Sequence, residues 1–564
     1  MTSAGLKHTA LLVFTLLAIP GALAASCSAT TGRNEFGDGG AGGEGPGGPG
    51  PGGPGSGGMG GDIFPVGPGG GGGMGAGDPG VDPQTCAEAA AARTYIGCDF
   101  WPTVVANNVW SIFDYAVVVA NAGDQPAEVT VTRGAETVAT ATVPANDLAK
   151  VYLPWVSELK GPDFDSCTSA VALSATVRVP DGAYHLVSTR PVTVYQFNAL
   201  EYGPQGGPPG KDWSSCPGQF CGVDCFSYSN DASLLLPSTA MTGNYRVTSH
   251  MGWTLPNIGS YFAITGTQDG TTVQVKVSGL GQILGGGGVP STGPNGLASF
   301  PLNRGEVVEV IFSSDSDPAG SLVYADKPVQ VIAGHPCTQM PIGYPACDHI
   351  EESVFPAETL GERYFVTVPT STGGNPVGHV VRIYGNVNGT QLSYPGGAPS
   401  GAPLSINEGQ VVDLGQVGAD FEIVGDHEFA IGMFQLGASI VDPIAGDQAK
   451  GDPAQSLATA VEQYRLKYVF LAPNDYDESY VDVVQPLTAQ VVLDGQPIDL
   501  APTPISSGFG IRRILLGPGK NGAHVLTATE PVGIQVMGYG SYTSYQYPGG
   551  LNLNAIAPPP PPPN

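Results

Sequence analysis

Three segments of the chain open on the same pattern, and this repetition constrains the fold more than any other feature. Ser233-Leu234-Leu235-Leu236-Pro237 leads to Tyr245-Arg246-Val247, Ser353-Val354-Phe355-Pro356 to Tyr364-Phe365-Val366, and Ser456-Leu457 to Tyr468-Val469-Phe470. Each places an aromatic residue at the head of a strand whose apolar residues alternate with polar ones. A second strand follows each: Tyr261 to Ile264, His379 to Ile383 and Tyr480 to Val484. Polar turns come next, at Gln268-Asp269-Gly270-Thr271, Asn386-Val387-Asn388-Gly389-Thr390 and, more weakly, Gln485-Pro486, and they read as hairpins. The segment ends also match, in Thr189-Arg190-Pro191-Val192, Asp326-Lys327-Pro328-Val329, His427-Glu428-Phe429-Ala430 and Thr529-Glu530-Pro531-Val532. Proline is tolerated at the first residue of a strand because no ladder donor is lost there.

These ends recur every 100 to 140 residues or so, the size of a sandwich domain and too long for a propeller blade or solenoid repeat. The chain therefore reads as all-β, with four related sandwich-like modules over 86–223, 224–347, 348–451 and 452–548. A joined sandwich and a propeller-like closure stay open as alternatives. Charged residues are 12% of the chain, and Val, Thr, Tyr and Gly punctuated by Pro favour strands and turns. Helix is expected only at Ala87 to Arg93 and at Asp452-Pro453-Ala454-Gln455, which has an N-cap, a proline at N1 and a Gln at N3.

Ahead of the modules, Lys7 and His8 precede an apolar run from Leu11 to Ile19 and then the small residues up to Cys27. Residues 1–26 read as a signal peptide. Cys27 is the expected lipid-attachment residue, because Ala24-Ala25-Ser26-Cys27 resembles a lipobox with its leucine displaced to Leu23. Ordinary cleavage after Ala22-Leu23-Ala24 is the alternative. Residues 27–85 are dominated by Gly and Pro, cannot bury a core, and read as a disordered tether with a reach of roughly 40 Å or more. In the Pro-rich tail, 549–564, the proline run after Asn554 is likewise expected to be disordered. Lipidation of Cys27 leaves eight of the nine cysteines: Cys86, Cys98, Cys167, Cys216, Cys221, Cys225, Cys337 and Cys347. An even number in an exported protein is consistent with disulfides. Cys337 with Cys347 and Cys86 with Cys98 are the locally plausible pairs.

The junction near residue 340 carries a family resemblance. GHPC at 334–337, CDHIEE at 347–352 and FPAETLGERYFV at 355–366 resemble the N-terminal domain family of IgG Fc-binding proteins, most strongly from about Asp231 to Tyr480. The resemblance implies an extracellular all-β binding domain without catalytic residues. It does not by itself bring IgG as the ligand, because a fold travels more readily than a ligand does.

Candidate chemistry is sparse. His335, Cys337, Cys347 and His349 are residue types that suit Zn²⁺, but exported cysteines are normally oxidised, and the expectation is a Cys337–Cys347 disulfide and no metal. The acidic runs at Asp163 to Asp165, Asp315 to Asp317 and Asn474 to Asp477 lack a calcium-loop pattern and read as solvated turns. The Tyr-rich run Tyr539 to Tyr547 suits contact with a glycan or protein if exposed, and otherwise edge-strand packing. No hydrolase, metalloprotease, P-loop or dinucleotide motif occurs in its required context, and no cofactor is expected. A net charge of −28 argues against nucleic acid. The sequence thus suggests a lipid-anchored adhesion or recognition protein of the bacterial cell envelope, on an outer membrane facing outward or else secreted, with an unknown protein or glycan partner. The alternatives are a structural envelope component or an exported hydrolase.

Overall fold

A computed structural model describes residues 82–164, 169–204, 206–218, 224–445, 449–520 and 522–563. Strands make up 44% of it and helices 5%. In the second module Asn244–Arg246, Thr271–Lys276, Leu297–Leu302 and Leu322–Ala325 form one sheet, facing Tyr261–Gly266, Val307–Ile311 and Val329–Thr338 in another. The third module repeats this order: Arg363–Val366, Thr390–Ser393, Ser405–Ile406 and Phe421–Gly425 oppose His379–Gly385, Val411–Val417 and Phe429–Phe434. In the first and fourth modules one long strand serves both sheets. His185–Asn198 pairs first with Ala127–Arg133 and then with Ala116–Asn121; Ala523–Gly540 pairs first with Arg465–Leu471 and then with Glu478–Pro486. Pro191 and Pro531 lie at these crossovers, where the missing N–H costs no ladder bond.

The expected hairpins are not hairpins. Tyr261–Gly266 and Thr271–Lys276 flank the turn at Gln268 but belong to opposite sheets, as do His379–Gly385 and Thr390–Ser393. Phe262, Ile264, Val273 and Val275 all enter the same core from its two sides. Gly270 and Gly389, at φ 62° and 76°, supply the reversal. A reversal sets direction without choosing a hydrogen-bonding neighbour. Gln485 and Pro486 lie inside the strand Glu478–Pro486, so that turn falls after them.

Each module ends on one further strand that completes its inner sheet. Asp231–Leu235 pairs with His185–Asn198, Asp348–Ser353 with Val329–Thr338, Gln455–Leu457 with Phe429–Phe434, and Thr543–Pro548 with Ala523–Gly540. Each of these packs on the next and the last on the first, giving a four-blade propeller-like arrangement. The module boundaries at 224, 348 and 452 accordingly fall one strand too early by hydrogen bonding. Val177–Val179 crosses as well, pairing with Val307–Ile311 of the second blade.

At the centre of the ring lies Asp231, fully buried. Its Oδ1 accepts from the N–H of Ala232 (2.9 Å) and Gln546 (3.2 Å), and its Oδ2 from the N–H of Glu351 (3.0 Å) and Gln455 (2.8 Å). One carboxylate therefore binds all the inner strands together. Burial pushes its pKa up, and these N–H groups pull the other way. Gln455 is thereby drawn into a strand, and the helix expected at Asp452 does not form: tertiary pairing outweighs a local start signal. The helix Cys86–Ala92 does form, with a capping box between Thr85 and Glu88. Polar contacts also join neighbouring blades. Arg382 pairs with buried Asp317 and donates to the Ser249 carbonyl at 2.6 Å, while Thr370 Oγ1 donates to Asp482 at 2.5 Å.

The tail is packed up to Asn554, ahead of its proline run. Leu551, Asn552 and Leu553 are buried, and Asn554 exchanges hydrogen bonds with Gln463. No helix among the described residues is long and apolar enough to cross a membrane.

Candidate functional site

Strand register places the long connections together at one end of the ring. Ala116 pairs with Phe197, Tyr261 with Gly334, Val380 with Phe434 and Glu478 with Tyr539. Segments 101–115, 247–260, 367–378 and 472–477 lead into the first of each pair. They therefore emerge beside 339–347, 541–542 and the described parts of 199–230 and 435–454, which lead into the inner strands. Short reversals such as 267–270, 303–306, 386–389 and 407–410 occupy the opposite end. The long loops brace one another: Gly437 N–H donates to the Met340 carbonyl (2.8 Å), Tyr542 N–H to that of Ala449 (2.9 Å), and His349 N–H to Ser229 Oγ (3.2 Å). Met251, Leu255, Ile342, Tyr344 and Ile444 are exposed there. Variable loops held on a rigid scaffold are the usual place for recognition.

Between the first and fourth blades this end opens into a cleft of about 530 Å³, lined by Lys150, Tyr152, Leu200, Glu201, Gly206, Asn474, Asp475, Tyr476 and Asp477. Glu201 is 1% exposed; its Oε2 accepts from Asp114 N–H at 3.0 Å, and its Oε1 has no hydrogen-bond partner among the described residues. The Tyr476 hydroxyl, also buried, has none either. Burial pushes the Glu201 carboxyl up to about 7, with Asp114 adding to the rise and Lys211 opposing it. Burial raises Asp475 too, against the pull of Lys150. The Tyr152 hydroxyl is raised by burial and by the charges of Glu201, Asp475 and Asp114. A side chain at Gly206 would meet Glu201 Cγ at 2.7 Å, so glycine is what lets the backbone pass so close. Tyr202 stacks on Phe226 at 4.8 Å and packs beside Tyr476, forming the wall behind the cleft.

Sequence reasoning reached Asp475 only as part of a solvated turn, and passed over Glu201. A lone glutamate between Leu200 and Tyr202 carries no local signal; partners from the first and fourth blades create its environment. The solvated-turn reading also fails at Asp317, a buried partner of Arg382. At Asp163 the carboxylate braces Lys160 (2.6 Å) and Ser111, and Asp315 accepts from Ser313; Asp165 lies outside the described residues. In the Tyr-rich run, Tyr539, Tyr545 and Tyr547 are buried, Tyr545 and Tyr547 packed on each other and on Tyr476 and Tyr195, and Tyr539 on Tyr480, so they offer no contact surface.

Disulfides join Cys337 to Cys347, Cys86 to Cys98 and Cys216 to Cys225. Cys27, Cys167 and Cys221 lie outside the described residues. The metal alternative at His335, Cys337, Cys347 and His349 loses its thiolates to that disulfide. His335 instead accepts from Cys337 N–H at 3.1 Å, and burial lowers its pKa to about 3. His349 Nε2 lies 3.6 Å from Glu351 Oε2. Among the described residues, no group of three or more His, Cys, Asp or Glu side chains could hold a metal ion.

The sequence pattern of the family described as IgGFc binding protein matches residues 231–538, from the first inner strand to the last long strand. The chain belongs to the IgGFc-binding protein family. Among curated proteins, the IgGFc-binding protein of Homo sapiens is 26% identical over 184 residues, covering 33% of this family member and 3% of the human protein's length. An anti-sigma factor domain-containing protein from Clostridium clariflavum aligns at 11% identity over 56% of this chain and 83% of its own, with a TM-score of 0.11. A TM-score that low carries no argument about fold.

Proposed function

We propose that this chain is a non-catalytic binding protein that presents its long-loop end to a macromolecular partner. In this reading it is tethered at the bacterial cell envelope through a lipid on Cys27 and the Gly/Pro-rich residues that follow. The reading is carried by the concentration of long, mutually braced loops at one end of a closed ring, within a chain of the IgGFc-binding protein family. The name of the human relative makes immunoglobulin Fc one probe among many. The test is to immobilise residues 82–563 on glycan and protein arrays, alongside Leu255→Asp and Ile444→Asp at the long-loop end and Asn388→Ala at the other. Retention of a ligand that is lost with the first two variants and kept with the third supports the reading. Retention lost only with Asn388→Ala would refute it, as would turnover detected by activity profiling. Mass spectrometry of the mature N-terminus reads the anchor: diacylglyceryl-Cys27 is expected, whereas a free amine at Ala25 excludes it.

A further inference from the structure

The cleft between the first and fourth blades has more negative charge than its own residues balance. Of the carboxylates around it, Asp114 is paired with Lys211, and Asp477 lies 3.8 Å from Lys450. Glu201 and Asp475 form no ion pair among the described residues, although the charge of Lys211 acts on the first and that of Lys150 on the second. Two buried polar atoms of lining residues have no partner among the described residues, Glu201 Oε1 and the Tyr476 hydroxyl. Glu201 Oε1 accepts hydrogen bonds and the Tyr476 hydroxyl can both accept and donate, and a buried polar atom left unpaired is costly until a partner arrives. Tyr152 and Tyr476 add aromatic surface to the same walls, and the face of an aromatic ring attracts a cation. About 530 Å³ admits one long side chain.

We propose that this cleft is the specificity pocket of the long-loop end, and that it takes the basic side chain, Arg or Lys, of a partner protein. The proposal rests on the binding role proposed above and specifies the partner's chemistry. The incoming N–H groups donate to Glu201 Oε1 and Asp475, and the alkyl stem lies along Tyr152 and Tyr476. A charge-assisted contact of this kind is stronger than a neutral one. The groups around Glu201 are Asp114, Lys211 and Tyr152, with Asp475 across the cleft and Lys150, on the strand of Tyr152, acting on Asp475. A cation favours the ionised carboxylate, so affinity rises as pH climbs through the range in which Glu201 deprotonates, from about 6 to 8.

The test uses residues 82–563 and capped peptides Gly-Arg-Gly and Gly-Lys-Gly, with Gly-citrulline-Gly as the uncharged control, in calorimetric titrations at 0.15 M salt. Expected results are saturable binding of the charged peptides only, affinity rising at least threefold from pH 6 to pH 8, and about a tenfold loss in Glu201→Gln. Circular dichroism and the unfolding midpoint establish that the variant is folded; if it is not, Asp475→Asn carries the same comparison. Citrulline binding equal to arginine, affinity unchanged in folded variants, or an acidic partner competing at the cleft would each overturn the proposal. If the arrays find a ligand while these peptides do not bind, the proposal fails and the binding role stands. If the arrays find nothing and the peptides bind, the pocket stands without a known partner.

Discussion

At the residue scale, the side chains with the most leverage are buried polar groups. Asp231 accepts an N–H from the inner strand of every blade. Asp231→Ala leaves those donors without a partner inside the protein, and at about 1–3 kcal/mol per unmade bond the loss is on the order of 4 kcal/mol or more. Urea unfolding should show this drop, with hydrogen exchange accelerated at Ala232, Glu351, Gln455 and Gln546. His379 works in a different way. It is fully buried, neither ring nitrogen has a partner among the described residues, and burial, helped by nearby Arg513, lowers its pKa from 6.5 to about 3. As pH falls below 6.5 the unfolded chain takes up this proton before the folded one does. Stability present above pH 6.5 is therefore lost as pH falls toward 3, by up to about 1.4 kcal/mol per pH unit. His379→Leu should keep stability near that of the parent at pH 7.5 and retain about 2–3 kcal/mol more of it at pH 4.5, read by denaturant titration at both pH values. Equal acid sensitivity in parent and variant would rule out this role. Neither residue is marked in the sequence: Asp231 opens a strand and His379 heads one, and only long-range packing isolates them from water.

At the scale of elements, strands were legible and their partners were not. The aromatic-headed strands near 245, 364 and 468 exist because alternation encodes a half-buried face locally. Pairing is decided by residues a hundred positions away, and so the turns at Gln268 and Asn386 were misread as hairpins. The Asp452 helix-start pattern was overruled in the same way, when Gln455 N–H went to Asp231. The Cys337–Cys347 bridge spans 10 residues of the connection into the second inner strand. Closing such a loop restricts the unfolded chain by roughly 2–3 kcal/mol on the chain-entropy model. Replacing both cysteines with Ala should lower stability by about that much and loosen the long-loop end. In the oxidised, denatured parent, thiol counting without reductant should find none at Cys337 or Cys347. Two reactive thiols there, together with stoichiometric zinc, would instead give His335 and His349 back their place as ligands.

At the scale of the whole molecule, the repeats gave the number of blades but not their closure. Their spacing matched sandwich domains, and sandwiches usually fold independently. Here each inner strand comes from the chain that goes on to build the following blade, or after the last blade from the closing segment. Asp231–Leu235 hydrogen-bonds to the first blade although it opens the second segment, and Gln455–Leu457 completes the third although it opens the fourth. The packed tail adds a further tie, since Tyr95 N–H of the first segment donates to the Leu551 carbonyl. A fragment cut at Gly210 and Gly446 therefore carries Asp231–Leu235 without its partner sheet and Phe429–Phe434 without its last strand. It also strips Val177–Val179 from Val307–Ile311, so that several sheet edges are exposed, and it leaves Asp231 without Gln455 and Gln546. Its apolar inner faces lose their neighbours as well, because one hydrophobic cluster runs from Tyr95 and Val118 through Leu234 to Tyr468 and Tyr547. The expected outcome is that residues 82–563 unfold in a single cooperative transition, while the 210–446 fragment shows no cooperative thermal transition by circular dichroism and aggregates through its open edges. If that fragment instead melts cooperatively with the β signal of a native sheet, the blades are autonomous domains and the shared inner strands are packing ornaments rather than the bond that closes the ring.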